Sequence, residues 1–296
     1  LRYTIWNNAS RQDIFTMRAD VANEGTWTVH QPSRPDAVLN PGKSTTFEVV
    51  IDVPENAQAN DRGPTITPVI ESKRSLMEIQ GEPYDGLRVL TTHDVQMSSV
   101  SSPTKLTPGI PNEIIVRITN NGNGPTDVNV APEDLPSTWD WWLSMDGENL
   151  SGPIALSVSY DLEHEKDISM WILLPMTEAA GELHTLQLGA HHVGEGQDLQ
   201  PSDNTIELVM STDSIRIPSI ELSDQSESTM AGGGMFAQAR LTNTGNAVET
   251  RLSVKATVSS SPPLPGLLTF FTVDGGDRAV ASEVPLMVPA GGGLDL

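Results

Sequence analysis

The chain has 296 residues, a formal net charge of −22 and no cysteine. Its length is enough for two or three domains. The absent thiols exclude disulfides, thiolate metal centres and cysteine nucleophiles, and the acidic balance disfavours nucleic acid as a partner.

Period-two alternation with many β-branched residues, punctuated by 24 Gly and 22 Pro, predicts strands almost throughout. Residues 176–180 suggest one helical turn at most. The chain opens with Tyr3-Thr-Ile-Trp-Asn-Asn8, a strand running into a turn. Strands are predicted next at 13–17 and at 24–29, the latter carrying Trp27. Residues 39–54 read as a turn, Asn40-Pro41-Gly42, and a strand closed by Pro54. Strands at 65–70 and 87–90 complete this series.

The series then restarts. Ile114-Ile-Val-Arg-Ile-Thr-Asn-Asn-Gly-Asn-Gly124 rewrites the opening phrase, followed by strands at 127–130 and at Leu135-Pro-Ser-Thr-Trp-Asp-Trp-Trp142. Residues 160–175 align without gaps to 39–54 and close on Pro175; strands at 184–188 and 206–210 follow. A third copy begins at Met235-Phe-Ala-Gln-Ala-Arg-Leu-Thr-Asn-Thr-Gly-Asn246 and continues through 250–254 and 264–271. A repeat of about a hundred residues in an all-β pattern predicts tandem sandwich domains of about seven strands each. The expected units are 1–92, incomplete at its start, 93–214, complete with an insertion near 147–154, and 215–296, incomplete at its end. Short junctions near 92–93 and 214–215 predict a semi-rigid rod.

Trp27, Trp139 and Leu268 share one aligned position, with Val29, Trp141 and Phe270 two residues on; both sets are expected in the core. Asn7, Asn120 and Asn243 are expected to bond their side chains to the following amides, and Gly122 and Gly245 to supply positive φ in tight turns. His30, Trp142 and Phe271 fall on the opposite face and form a candidate interaction surface, suited to a sugar ring or a neighbouring subunit. Asn8 and Asn149 head glycosylation sequons.

The strand, the Asn-x-Gly-Asn turn, Leu-Pro-x-x-Trp, Asn-Pro-Gly-Lys-Ser, Val-Pro and Asp203-Asn204-Thr205 together resemble two families. These are the Ig-like domains attached to prokaryotic alpha-galactosidases and the cell-adhesion-related CARDB-type domains of prokaryotic surface proteins. The resemblance implies tandem Ig-like domains in an exported protein.

No zinc-protease, nucleophile-elbow or phosphate-loop motif occurs, so no catalytic residue is expected. No cofactor is expected either, calcium being the one candidate. Oxygen ligands for calcium are sought at Asp127, with Asn121, Asn123, Asp134 and Asp140; Asp203, with Glu195, Asp198, His191 and His192, is a separate candidate that pairs carboxylates with imidazoles. Adjacent histidines on a strand point opposite ways and are not expected to share an ion. Asp94, Asp213 and Asp224 are the carboxylates placed to bridge junctions. Leu1-Arg2 lacks an initiator Met, and Gly293-Leu-Asp-Leu296 reads as mid-strand, so the chain is expected to be a piece of a longer protein with its export signal and anchor outside it. The expected role is structural: an extracellular or cell-surface rod, stalk, layer or filament, partnered by copies of itself, other surface proteins or glycans, and not inserted in a membrane. The alternative is a carbohydrate-binding or spacer module of a secreted glycosidase or adhesin.

Overall fold

A computed structural model describes residues 1–159, 161–223, 229–230, 232–263, 266, 268–270, 272–275 and 283–296. Within these the chain is all-β, in antiparallel sheets with one short parallel pair. No helix among the described residues is long and apolar enough to cross a membrane. Three hydrophobic clusters form, each from one stretch of sequence.

The first stretch contributes β1 (Arg2–Trp6), β2 (Asp13–Ala22), β3 (Thr28–His30), β4 (Asp36–Leu39), β5 (Ser44–Glu48), β6 (Val50–Asp52), β7 (Thr65–Ser72) and β8 (Glu78–Gln80). One sheet has the order β4-β2-β7-β8. Facing it are the pairs β1-β5 and β3-β6, consecutive along the chain and separated only at the buried Val49. Alternation explains the packing: Phe15, Met17 and Ala19 of β2 point at Ile5 and Phe47 from the other side.

The middle stretch contributes β9 (Val95–Ser101), β10 (Lys105–Leu106), β11 (Pro111–Asn120), β12 (Thr126–Pro132), β13 (Asp140–Met145), β14 (Glu148–Asn149), β15 (Ile154–Leu156), β16 (Glu165–Leu173), β17 (Leu183–His192) and β18 (Thr205–Thr212). They form two five-stranded sheets, β14-β13-β16-β11-β9 and β10-β18-β17-β12-β15. Ile114, Val116 and Ile118 of β11 are fully buried in a single core with Ile168, Met170 and Ile172 of β16 and Val128, Leu186 and Leu188 of the facing sheet. Each such side chain stabilises the fold by roughly 2–3 kcal/mol.

The last stretch contributes β19 (Pro218–Leu222), β20 (Ala239–Asn243), β21 (Glu249–Lys255), β22 (Glu283–Val288) and β23 (Gly293–Asp295). The order is β19-β20-β23, with β21-β22 as a second pair. Among the described residues its core is centred on Leu241, Leu286 and Val288.

Strand registers repeat between stretches. Val29 pairs with Ile51 and His30 with Val50, as Trp141 pairs with Ile172 and Trp142 with Trp171. These are the partners that the gap-free alignment of 39–54 with 160–175 requires. The turn that opens both segments also recurs, Lys43 N–H donating to Asn40 O as His164 N–H donates to Asp161 O. Only Gly42 uses positive φ there, so Asp161-Leu162-Glu163 closes the turn with different dihedrals.

Three expectations need correction. Residues 87–90 form no strand; Arg88 makes one isolated bridge to Arg62, and the strand beside β7 is β8. The middle stretch has ten strands rather than about seven: β9, β10, β14 and β15 add to the six read from the sequence, β14 being formed by the insertion near 147–154. That insertion extends the sheet edge beside Ser144 and Met145. Finally, the second aligned core position holds only in the first copy, where Val29 packs against the core; Trp141 and Phe270 are exposed. Trp139 is buried at 4% exposure, but Trp141 is 40% exposed. Because β14 reaches only Ser144 and Met145, Trp141 lies on an unpaired stretch of sheet edge. Period two fixes a residue's face, not its distance from the edge. Leu268 and Phe270 are likewise exposed, while Trp27 and Val29 are half-buried.

Candidate functional site

The repeated Asn turn is built the same way three times. Asn7, Asn120 and Asn243 are each at most 1% exposed. The side-chain Oδ1 of each accepts the N–H two residues on, from Ala9 at 3.0 Å, Gly122 at 2.9 Å and Gly245 at 3.1 Å. Each Nδ2 donates to the carbonyl four residues on, of Arg11, Gly124 and Ala247, at 2.8–2.9 Å. A second donation crosses to the neighbouring chain segment, to Leu39 O and Ser157 O at 2.8 Å and to Val288 O at 3.4 Å. An amide is required, since only it carries both the donors and the acceptor.

The role expected for the glycines is wrong. Neither Gly122 nor Gly245 has positive φ. They are needed for space. A Cβ on Gly122 would overlap the Thr92 carbonyl oxygen, and one on Gly245 would overlap the Ile215 carbonyl oxygen. The segment entering each stretch passes directly over the glycine.

Next to the glycine, Asn123 and Asn246 hold that segment. Asn123 accepts Thr92 N–H at 2.8 Å and donates to Leu90 O at 2.8 Å. Asn246 accepts Ile215 N–H at 2.7 Å and donates to Asp213 O at 2.9 Å. Both turns also reach the loop that follows the Pro-closed strand of the preceding stretch. Asn123 O accepts Ala59 N–H at 2.8 Å, and Asn246 Nδ2 donates to Glu178 O at 3.0 Å. Those loops begin alike, Ala57 N–H bonding Pro54 O and Glu178 N–H bonding Pro175 O. β6 and β16 end one or two residues before their prolines, as expected.

Trp139 supports the second of these loops. Its Nε1 donates to Glu178 Oε2 at 3.1 Å, and its ring meets His184 edge-on at 4.8 Å. His184 Nε2 lies 2.9 Å from Thr212 Oγ1 and 3.7 Å from Glu178 Oε1. Glu178, Glu182 and His184 are close enough to share an ion, but Glu178 and His184 are already engaged with Trp139 and Thr212.

A second carboxylate group, Asp94, Asp198 and Asp203, lies beside the first junction, with ligand oxygens all within 4.8 Å of one another. Asp198 accepts the N–H groups of Val95 and Gln200. Asp94 Oδ1 and Asp203 Oδ1 are buried without a hydrogen bond, as is Oδ1 of Asn204. Burial, reinforced by the Asp198 and Asp203 charges, pushes the Asp94 carboxyl above the ordinary aspartate range. An all-oxygen set of this kind suits calcium. Asp203 is therefore in a candidate cation group, while Asp127 is exposed on β12, apart from it. His191 and His192 point opposite ways: His191 meets Glu133 at 3.0 Å, and His192 meets Thr126 and stacks on His93 at 3.6 Å.

Of the candidate interaction surface, Trp142 is half-buried and stacks on Trp171 with ring centroids 6.1 Å apart and planes at 9°. His30 is exposed and bonded to Asp52 at 2.6 Å. Phe271 and Asp224 lie outside the described residues. Asn8 and Asn149 are both exposed. Asn123 was legible as a turn residue, but its grip on the entry segment was not. The signal was there, since the second Asn of Asn-x-Gly-Asn recurs at the same place in two copies.

Compared with protein-family models and with curated proteins, the chain matches none.

Proposed function

We propose that this chain is a structural segment of an exported prokaryotic surface protein, archaeal or bacterial, in which Ig-like sandwiches in series form a rod, stalk, layer or filament. It is not an enzyme in this reading, and its partners are copies of itself or other surface proteins. The observation that carries the proposal is the junction bonding: the same side chains grip the same backbone positions at two places about 123 residues apart, in a chain whose repeat is of that order. A chain that uses bonds from side chain to backbone to fix successive sheets is suited to holding a distance. Of the aromatics that bear on the glycan-binding alternative, Trp142 stacks on Trp171 of its own sheet, and His30 is tied to Asp52.

Negative-stain electron microscopy of the native full-length protein at micromolar concentration tests this role. Ordered filaments, sheets or straight rods are expected. Compact particles, or specific retention on a glycan array abolished by Trp142→Ala, would replace it with the accessory-module reading.

Calcium stiffening is a second reading, favoured by the Asp94, Asp198 and Asp203 group beside the first junction. Cation binding would neutralise carboxylates that otherwise repel one another there.

A further inference from the structure

The first copy of the Asn turn departs from the other two at its third and fourth positions, and the difference follows what lies next to each turn. In the middle and last copies the sequence is Asn120-Asn-Gly-Asn123 and Asn243-Thr-Gly-Asn246; in the first it is Asn7-Asn-Ala-Ser10. The first Asn is kept in all three, with the same bonds to the amide two residues on and the carbonyl four residues on. Closing the turn therefore needs only that residue. The glycine and second asparagine must serve something else.

In both places where they occur, they meet a preceding segment. The glycine leaves room for a backbone carbonyl, and the asparagine side chain spans that backbone, taking an N–H and giving to a carbonyl two residues earlier. The main chain adds to this: Asn121 N–H donates to Asp94 O, and Thr244 N–H to Ile217 O. Each then reaches the post-proline loop of the stretch before it, at Ala59 or Glu178. In the first copy Ala9 and Ser10 are exposed. The Ala9 methyl stands where the other two turns admit a carbonyl oxygen.

We propose that Gly-Asn at the third and fourth positions of this turn is a docking site for the preceding unit, its partner being the entry backbone together with the loop after the strand-closing proline, Pro54 or Pro175. The first unit keeps the turn and lacks the docking site, so β1 does not receive a neighbour in this manner. Junction stiffness is thus written in two residues per unit, separately from the fold. The inference rests on reading the stretches as successive units; it does not depend on an exported or filamentous role.

Limited trypsin digestion of the 296-residue chain tests it, because Arg88 and Arg216 are exposed at the two junctions. Gly122→Ala with Asn123→Ser writes the first copy's pair into the middle one. The milder Asn123→Asp keeps the acceptor for Thr92 and removes the donor to Leu90. Asn246→Ala addresses the second junction, and Asn121→Ala is the control within the same turn. Loss of one or two junction bonds is expected to speed cleavage after Arg88 or Arg216, at the altered junction only, by about tenfold or more. The heat-induced unfolding of the stable middle unit should stay in place for Asn123→Asp and Asn246→Ala. Small-angle scattering should show a broader spread of chain dimensions. Junction cleavage equal to that of the parent and of Asn121→Ala would overturn the proposal. Cleavage spread evenly over the chain would also overturn it, since the residues would then serve the fold. The microscopy above can fail while this result stands, and the reverse, so the two readings fail separately.

Discussion

Single side chains in this protein do work that their neighbours in sequence do not share. Trp139 is buried in the middle core and also hydrogen-bonds Glu178, whose own carbonyl receives Asn246. Trp139→Ala should cost about 3–5 kcal/mol of stability in the middle core, measured by denaturant unfolding. It should also speed trypsin cleavage after Arg216, by loosening the loop that Asn246 holds. A loss below about 1 kcal/mol would contradict the observed burial. Trp141→Ala, at the sheet edge, should cost much less. Asn120 satisfies two carbonyls and one amide in a dry site, so Asn120→Ala should destabilise by about 2–3 kcal/mol. Asp94 works the other way. Its carboxyl binds a proton more tightly when folded than when unfolded. Its contribution to stability is therefore best at pH below the ordinary aspartate range, and it declines as pH rises through the raised value. Without calcium, Asp94→Asn should melt higher than the parent at pH 7. With calcium the parent should gain and the variant should not; a parent indifferent to both calcium and chelator would remove the cation reading.

At the scale of elements, most of the fold was legible. Alternating apolar residues at 114, 116 and 118 and the Pro-closed segments at 39–54 and 160–175 placed strands and registers correctly, because a one-residue slip would turn the core outward. Less legible was anything decided by lateral position or by what comes next in space. Residues 87–90 have strand composition, but they run beside 60–63, the irregular segment ahead of β7, and so form only an isolated bridge and a few backbone bonds there. Trp141 has the right face but an open edge. The glycines looked like dihedral residues because Asn-Gly so often is; here the constraint is a carbonyl from a segment about thirty residues earlier, which no local pattern reveals. The carboxylate group was half legible. Asp198 and Asp203 are close in sequence, but Asp94 joins them only through β9, whose Val95 N–H binds Asp198.

Over the whole molecule, the account joins three observations: separate cores, short connections, and identical side-chain bonds across the two connections. On the proposed reading, they describe units that fold by their own alternation and are joined through a few asparagines. Since the chain has no cysteine, two can be introduced and labelled without interference. Spin labels at Lys43→Cys and Glu207→Cys, both exposed, would report the distance between the first and middle stretches by pulsed electron paramagnetic resonance. The account predicts one narrow distance distribution that broadens when Gly122→Ala and Asn123→Ser are added. A distribution already broad in the parent, unchanged by those substitutions, would contradict it.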